Sequence, residues 1–313
     1  MSSSSSSSVV TSPSSSGWPV PGKRFVIGVP FVWLLVFFLL PFLILVYISF
    51  VDMGNDIHPF KPLWDPETGV LHLKYENYWS IFRNGLGGGL FETLYIEAYV
   101  RSIWYALCTA VICLVLGYPF AYFLARSPAS VRPALLMMVM LPFWTSFLLR
   151  VYAWKGILAD YGVINRLLMA AGIIDEPILM LYTTTSMLVG MTYVYLPFMV
   201  LPLYANLVKM DFRLLEAAAD LGTSPFKAFW LITVPLSKAG IIAGFMLVFI
   251  PCVGEFVIPS LLGGPENLMI GRVVWDEMFA SNNWPRATAL AVVMIGLIVV
   301  PLAIYYRYSG EEK

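Results

Sequence analysis

The sequence predicts an all-α integral membrane protein, a bundle of six transmembrane helices. Three observations carry that prediction. The 313-residue chain is 59% hydrophobic and 12% charged, against roughly 25% charged in an average soluble domain. A soluble core cannot absorb that much apolar surface, so lipid has to be part of the solvent. Six apolar segments also reach about the 20 residues that a helix needs to cross a bilayer. Finally, the loops between them differ in charge from one side to the other.

The elements follow in chain order. Residues 1–16, MSSSSSSSVVTSPSSS, are of low complexity, and residues 1–22 are expected to be a disordered tail. The apolar run after Lys23-Arg24 is longer than the roughly 7–15 residues of a signal-peptide core and is followed by no small-x-small cleavage site. It therefore reads as an uncleaved first span, at about 25–47. The further spans are expected at about 103–125, 134–154, 178–207, 239–262 and 287–306. Pro41, Pro142, Pro197 and Pro251 fall inside them. A membrane bundle tolerates this because neighbouring helices re-satisfy the freed carbonyls. Trp79, Trp104, Trp154, Trp284, Tyr305 and Tyr306 sit near the ends, as interfacial anchors do. The first outer loop holds turn material at Asp65–Gly69, a glycine-rich hinge from Gly85 to Gly89, and then a helix leading into the second span. A short amphipathic helix is expected within 271–284.

Charge orients the bundle. The N-terminal segment, the 126–132 and 208–238 loops and the C-terminus hold ten basic residues, from Lys23 and Arg24 to Arg307 and Lys313, against five acidic ones. The opposite loops carry a surplus of acids, with Asp52, Asp56, Asp65, Glu67, Glu76, Glu92 and Glu97 in the first of them. The positive-inside rule then puts both termini, including a short tail at 309–313, in the cytoplasm. An even number of spans agrees with this.

The 208–238 segment, VKMDFRLLEAAADLGTSPFKAFWLITVPLSK, is the one long cytoplasmic loop. A helix is expected around 214–221, stopped at Gly222 by a left-handed C-terminal residue. Thr223 or Ser224 then caps a second helix with Pro225 in its first turn, and Pro235 ends it. Leu214, Leu215, Phe226, Phe229 and Trp230 give this helix–turn–helix an apolar contact surface.

The pattern Glu216-Ala217-Ala218, three residues, Gly222, nine residues, Ile232-Thr233-Val234-Pro235 resembles the EAA signature of ABC importer permeases, departing from it only at Val234, where the family has Leu. The resemblance covers residues 23–308 and implies the six-helix, MetI-like fold of type I importer permeases. It implies that Glu216, Ala217, Ala218, Gly222 and Pro235 belong to a coupling loop seated on a separate ATPase. It also implies a bacterial inner-membrane location, an ABC ATPase dimer, a second homologous permease subunit and a periplasmic binding protein. ATP and Mg would then sit on the ATPase, since no G-x-x-x-x-G-K-[ST] phosphate loop occurs in this chain and no cofactor is expected in it.

Glu255 is the one acidic residue within an apolar span. A charge at membrane depth costs roughly 2.5–3.5 kcal/mol on insertion scales and normally faces a cavity or a partner. Pro251 and Pro259 flank it, so the helix is expected to bend or break there, as helices lining transport sites do. Trp144, Thr145 and Ser146 on the third span and Tyr193 and Tyr195 on the fourth add aromatic faces and hydroxyls. A carboxylate with aromatic faces suits an ammonium group. Packing against lipid or core is the alternative for each aromatic. Arg150 either snorkels to the outer interface or pairs with Glu255. LPFWTSFLLRVYAW at 141–154 and VGEFVIPSLLGG at 253–264 closely resemble the permeases for putrescine and spermidine, which implies a polyamine cargo delivered by a polyamine-binding protein. An amino-acid-like or metal-loaded solute on the same machinery is the alternative.

Other classes find little support. No clustered basic face points to nucleic acid. The two histidines, His58 and His72, both lie in the outer loop, and no H-E-x-x-H or G-x-S-x-G pattern suggests a catalytic centre. Cys108, Cys113 and Cys252 lie in apolar runs without a C-x-x-C pair, so neither a metal site nor a redox role is expected.

Overall fold

A computed structural model describes residues 22–54, 59–64, 72–83 and 94–310. The serine-rich stretch, the 65–69 turn, the 85–89 hinge and His58 lie outside them. Residues 1–47 and 48–313 group as two separate units. In the first, α1 (Lys23–Leu34) continues through a π-helical turn at Leu35–Leu39 into α2 (Leu40–Ser49). From Phe25 to Leu40 its apolar side chains are exposed around the helix, as a helix in lipid requires, while Ile48 and Ser49 at its end already belong to the second unit and are buried.

The second unit is also helical, with no strand among the described residues. α3 (Glu76–Arg83) precedes the 33-residue α4 (Leu94–Arg126). Next come α5 (Arg132–Met140), α6 (Phe147–Leu158), α7 (Val163–Ala170) and α8 (Thr184–Leu207). Three short helices follow: α9 (Arg213–Asp220), α10 (Pro225–Ala228) and α11 (Val234–Leu236). The chain ends with α12 (Lys238–Val253), α13 (Val257–Leu262), α14 (Ile270–Trp275) and α15 (Trp284–Gly310).

The helices α4, α8 and α12 pack on one another and enclose the core. Met199 on α8 is fully buried, in a space where neither Gly117 of α4 nor Gly244 of α12 places a side chain. Helices in lipid gain little from hydrophobicity, and such close van der Waals fits hold them together.

Three expected spans are corrected. The third, 134–154, is not one helix. After a 3₁₀ turn at Leu141–Trp144 the chain extends at Thr145, and the helices on either side differ in direction by 86°. Pro142 has no N–H to continue the ladder, and the Thr145 hydroxyl donates to the Pro142 carbonyl at 2.8 Å. The fourth starts only at Thr184, where Thr183 and Ser186 form a reciprocal capping box, so 178–182 are not helical. The fifth breaks between α12 and α13. A helix running on through Glu255 would need an N–H at Pro259 to reach the Glu255 carbonyl, and proline has none. Among the described residues three helices are each long and apolar enough to cross a membrane, Phe25–Ser49, α4 and α8, and two bent helix pairs would bring the number to five if each pair forms one span.

Candidate functional site

The helix–turn–helix expected at 208–238 is present. α9 ends in a left-handed Gly222, φ +80. The Gly222 N–H donates to the Ala219 carbonyl at 2.8 Å and the Thr223 N–H to the Ala218 carbonyl at 2.9 Å. This paired closure satisfies two carbonyls that a helix end otherwise leaves open. Of the two capping candidates Ser224 is the cap, its hydroxyl accepting from the Lys227 N–H at 3.4 Å. The second helix does not stop at Pro235. It widens into a π-helical turn at Phe229–Thr233, continues through α11 and turns at Ser237, 69° from the direction of α12.

The inner face of this knob is anchored to the end of α4. Tyr118 and Phe229 meet edge to face at 5.3 Å, and Tyr122 meets Phe212 at 6.1 Å. The Tyr118 and Ser237 hydroxyls share a hydrogen bond of 2.7 Å. Glu216 and Ala219 line a cleft here with Tyr122 and Arg126, and Ala218 is buried behind it. The outer face is bare, with Leu221 87%, Phe226 73% and Leu231 70% exposed. At the entry to α9, hydrogen bonds from Arg213 hold the exposed Asp211 carboxyl below the usual carboxylate range.

The second locus is the break at Gly254–Phe256. Glu255 is 8% exposed. Its Oε1 accepts from the N–H groups of Phe256 (3.1 Å), Val257 (3.0 Å) and Ile258 (3.4 Å), the open donors at the start of α13. Its Oε2 accepts from the Tyr195 hydroxyl at 2.5 Å, tying the break to α8. α14 closes the other side. A Cβ on Gly271 would stand 2.3 Å from the Gly254 carbonyl oxygen and 2.8 Å from that of Glu255, so the two backbones touch.

Arg150 does not pair with Glu255. Its guanidinium rests over the rings of Phe143 at 5.0 Å and Phe147 at 6.0 Å. With Thr145, Trp154 and Tyr193 it lines a separate cleft. The proposed pathway residues thus fall into two groups. Tyr195 meets Glu255 in the core, while Tyr193, two residues earlier, points outward and packs edge to face on Trp154 at 5.5 Å. Trp144 and Ser146 are exposed beside that cleft. The expected outer helix is α14 with a π-helical turn at Asp276–Ala280.

Sequence reasoning missed the polar knot around Asn267, which is 1% exposed. With its amide turned to satisfy its neighbours, Asn267 donates to Tyr105 (2.7 Å) and Thr184 (2.9 Å) and accepts from the N–H groups of Thr184 (3.2 Å) and Gly264 (3.1 Å). Ser102 accepts from the Ile270 N–H at 2.7 Å, and Arg101 bonds both Glu97 and the Glu266 carbonyl. These contacts fix the 263–270 loop across α4 and α8. The one signal in the sequence was an amide beside the Gly-Gly-Pro turn.

No family model matches the chain. It is 36% identical over 286 residues to a spermidine/putrescine transport system permease protein, PotB, of Haemophilus influenzae, covering 91% of this chain and 93% of the relative. It is 38% identical over 277 residues to PotB of Escherichia coli K12, covering 88% and 94%. A third relative, the inner membrane ABC transporter permease protein YdcU of E. coli, is 32% identical over 71% of this chain and 75% of its own length. Among solved structures, a chain of a bacterial ABC transporter involved in the import of the acidic polysaccharide alginate superposes with a TM-score of 0.60 at 16% identity, over 92% of this chain and 96% of that one. A second structure, of the bacterial alginate ABC transporter in complex with an alginate-pentasaccharide-bound periplasmic protein, gives 0.58 at 16% identity, over 88% and 90%.

Proposed function

The chain belongs to the ABC-transporter permease family that includes the spermidine/putrescine permeases, and from that premise we propose that it is the multi-pass membrane subunit through which a polyamine is imported. The 208–238 knob carries the reading. It is rigid inside, where Gly222, Ser224 and the Tyr118–Ser237 bond fix it to α4, and apolar outside, where Leu221, Phe226 and Leu231 stand bare. A folded segment that exposes so much apolar surface fits a protein partner better than water. That partner is a dimeric ATPase carrying ATP and Mg, whose closure the knob turns into movement of α4 and α12. A second, homologous permease completes the pore and a periplasmic binding protein delivers the cargo. Both termini face the cytoplasm of a bacterial cell, by the charge asymmetry of the loops.

Cargo identity leans on the relatives, since the fold neighbours handle an acidic polysaccharide and fold alone selects no solute. Glu255 places a negative charge at the break in the fifth span. Its four donors come from the protein, so it acts on a passing ammonium through its field and by fixing the shape of the break, with Tyr195 as its support. Thr145, Tyr193, Trp144 and Ser146 flank the second cleft along the route.

The test is uptake of labelled spermidine and putrescine by cells producing the whole complex, competed with unlabelled polyamines, amino acids and chelated metals. Self-competition by polyamines alone is the expected result. Competition by an amino acid instead would leave an importer and remove the polyamine cargo.

A further inference from the structure

We propose that the aromatic stack Phe256–Trp275–Phe279, with Asp276 beside it, is a transient ammonium subsite next to the break in the fifth span. The proposal rests on the polyamine reading above and deepens it. Glu255 has little capacity left for a cargo cation. A carboxylate has about four acceptor positions; three N–H groups crowd Oε1 of Glu255 and the Tyr195 hydroxyl takes one position on Oε2, which leaves a single buried position. The direct contacts for an ammonium group then have to come from neighbouring side chains.

The nearest set begins one residue on. The Phe256 ring lies parallel to Trp275, 10° between planes and 4.7 Å between centroids. Trp275 in turn meets Phe279 at 4.3 Å. Phe279, at the free end, is 59% exposed and Trp275 is 45% exposed, so the rings do not serve as core. A cation within about 6 Å of such a ring is attracted by its quadrupole. Asp276, three residues before Phe279, is exposed on the same turn. It forms an ion pair with Arg272 at 3.7 Å, too long for a hydrogen bond, so an ammonium group would share the carboxylate with that guanidinium. Glu277 is occupied by the Tyr95 hydroxyl at 2.6 Å and is not counted.

The backbone holds this set in place. Asp276–Ala280 is a π-helical turn, a form frequent at functional sites. It is closed by Ser281 N–H to the Asp276 carbonyl (2.9 Å), Asn283 N–H to that of Glu277 (2.8 Å) and a left-handed Asn282, φ 50. Gly271 seats the same helix on the carbonyls of Gly254 and Glu255. Rings and carboxylate are therefore seated directly against the break.

The experiment compares Phe279→Leu, Phe279→Tyr, Trp275→Leu and Asp276→Asn in the full complex, reading spermidine uptake at saturating binding protein and co-purification with the partner subunits. The expected result is a loss of about tenfold for both leucine variants and for Asp276→Asn, with assembly retained. Phe279→Tyr, which keeps a ring face, should recover to within about twofold of the unaltered rate. Wild-type uptake by Phe279→Leu overturns the subsite. Failure of Phe279→Leu to co-purify marks the stack as a subunit contact and also overturns it. If Trp275→Leu alone fails to assemble, the exposed Phe279 and Asp276 positions still decide the matter. Uptake of neither polyamine by the unaltered complex is the separate outcome that removes the cargo reading and the subsite with it.

Discussion

At Glu255, removing the charge and removing the side chain are different experiments, because one oxygen closes the start of α13 and the other holds Tyr195. Glu255→Gln keeps an oxygen for the N–H groups and should assemble, while its polyamine uptake falls by about tenfold with the lost field. Assembly with uptake at the unaltered rate would remove Glu255 from the route. Glu255→Ala leaves buried donors without an acceptor, each costing roughly 1–3 kcal/mol. Its expected effect is a loss of folded protein, read as yield and thermal midpoint of the purified complex. Gly222 raises a backbone question instead. At φ +80 a β-branched residue is strained by roughly 1–2 kcal/mol. Gly222→Val should insert in the membrane and still hydrolyse ATP, with hydrolysis no longer coupled to uptake. Normal uptake would count against the docking role. Both residues could be singled out from the sequence: a lone acid in an apolar run, and a glycine at a fixed distance from Glu216. The donors that surround Glu255 could not, because Tyr195 is sixty residues away along the chain.

Among the elements, the broken spans matter most. Pro251 and Pro259 indicated that the fifth span would be interrupted near Glu255, whereas Pro142 was read as tolerated within a continuous third span. They did not indicate an 86° bend at Thr145 or a second helix closing the break at Glu255. That closure depends on Gly271. In Gly271→Ala the added carbon would meet two carbonyl oxygens that cannot rotate away, so α14 has to shift. The expected outcome is a thermal midpoint lowered by several degrees together with slowed uptake. An unchanged midpoint would mean that the break opens freely. The 208–238 knob was more legible, since a capping serine, a helix-stopping glycine and a first-turn proline act locally. Its attachment through Tyr118, Tyr122, Phe212 and Phe229 was not, because the partners lie on separate elements.

For the whole molecule, orientation is the property to measure. A fluorescent protein fused after Lys313 should fold and fluoresce in the cytoplasm, and a phosphatase fused within 171–177 should be active outside. The reverse pattern would invert every assignment of inner and outer face. Sequence alone determined the membrane class, the helix–turn–helix at 208–238 and the family. These follow from composition, from runs of apolar residues and from a spaced motif, all of which are properties of the chain in one dimension. Tertiary structure decided that Glu255 is a helix cap bonded to Tyr195, that Arg150 stands apart from it, that Asn267 ties three elements together, and that three aromatic rings stack beside the break. The physical reason is range. Hydropathy and capping act within a few residues, whereas a buried polar group is satisfied by whichever element the packing brings within about 3 Å.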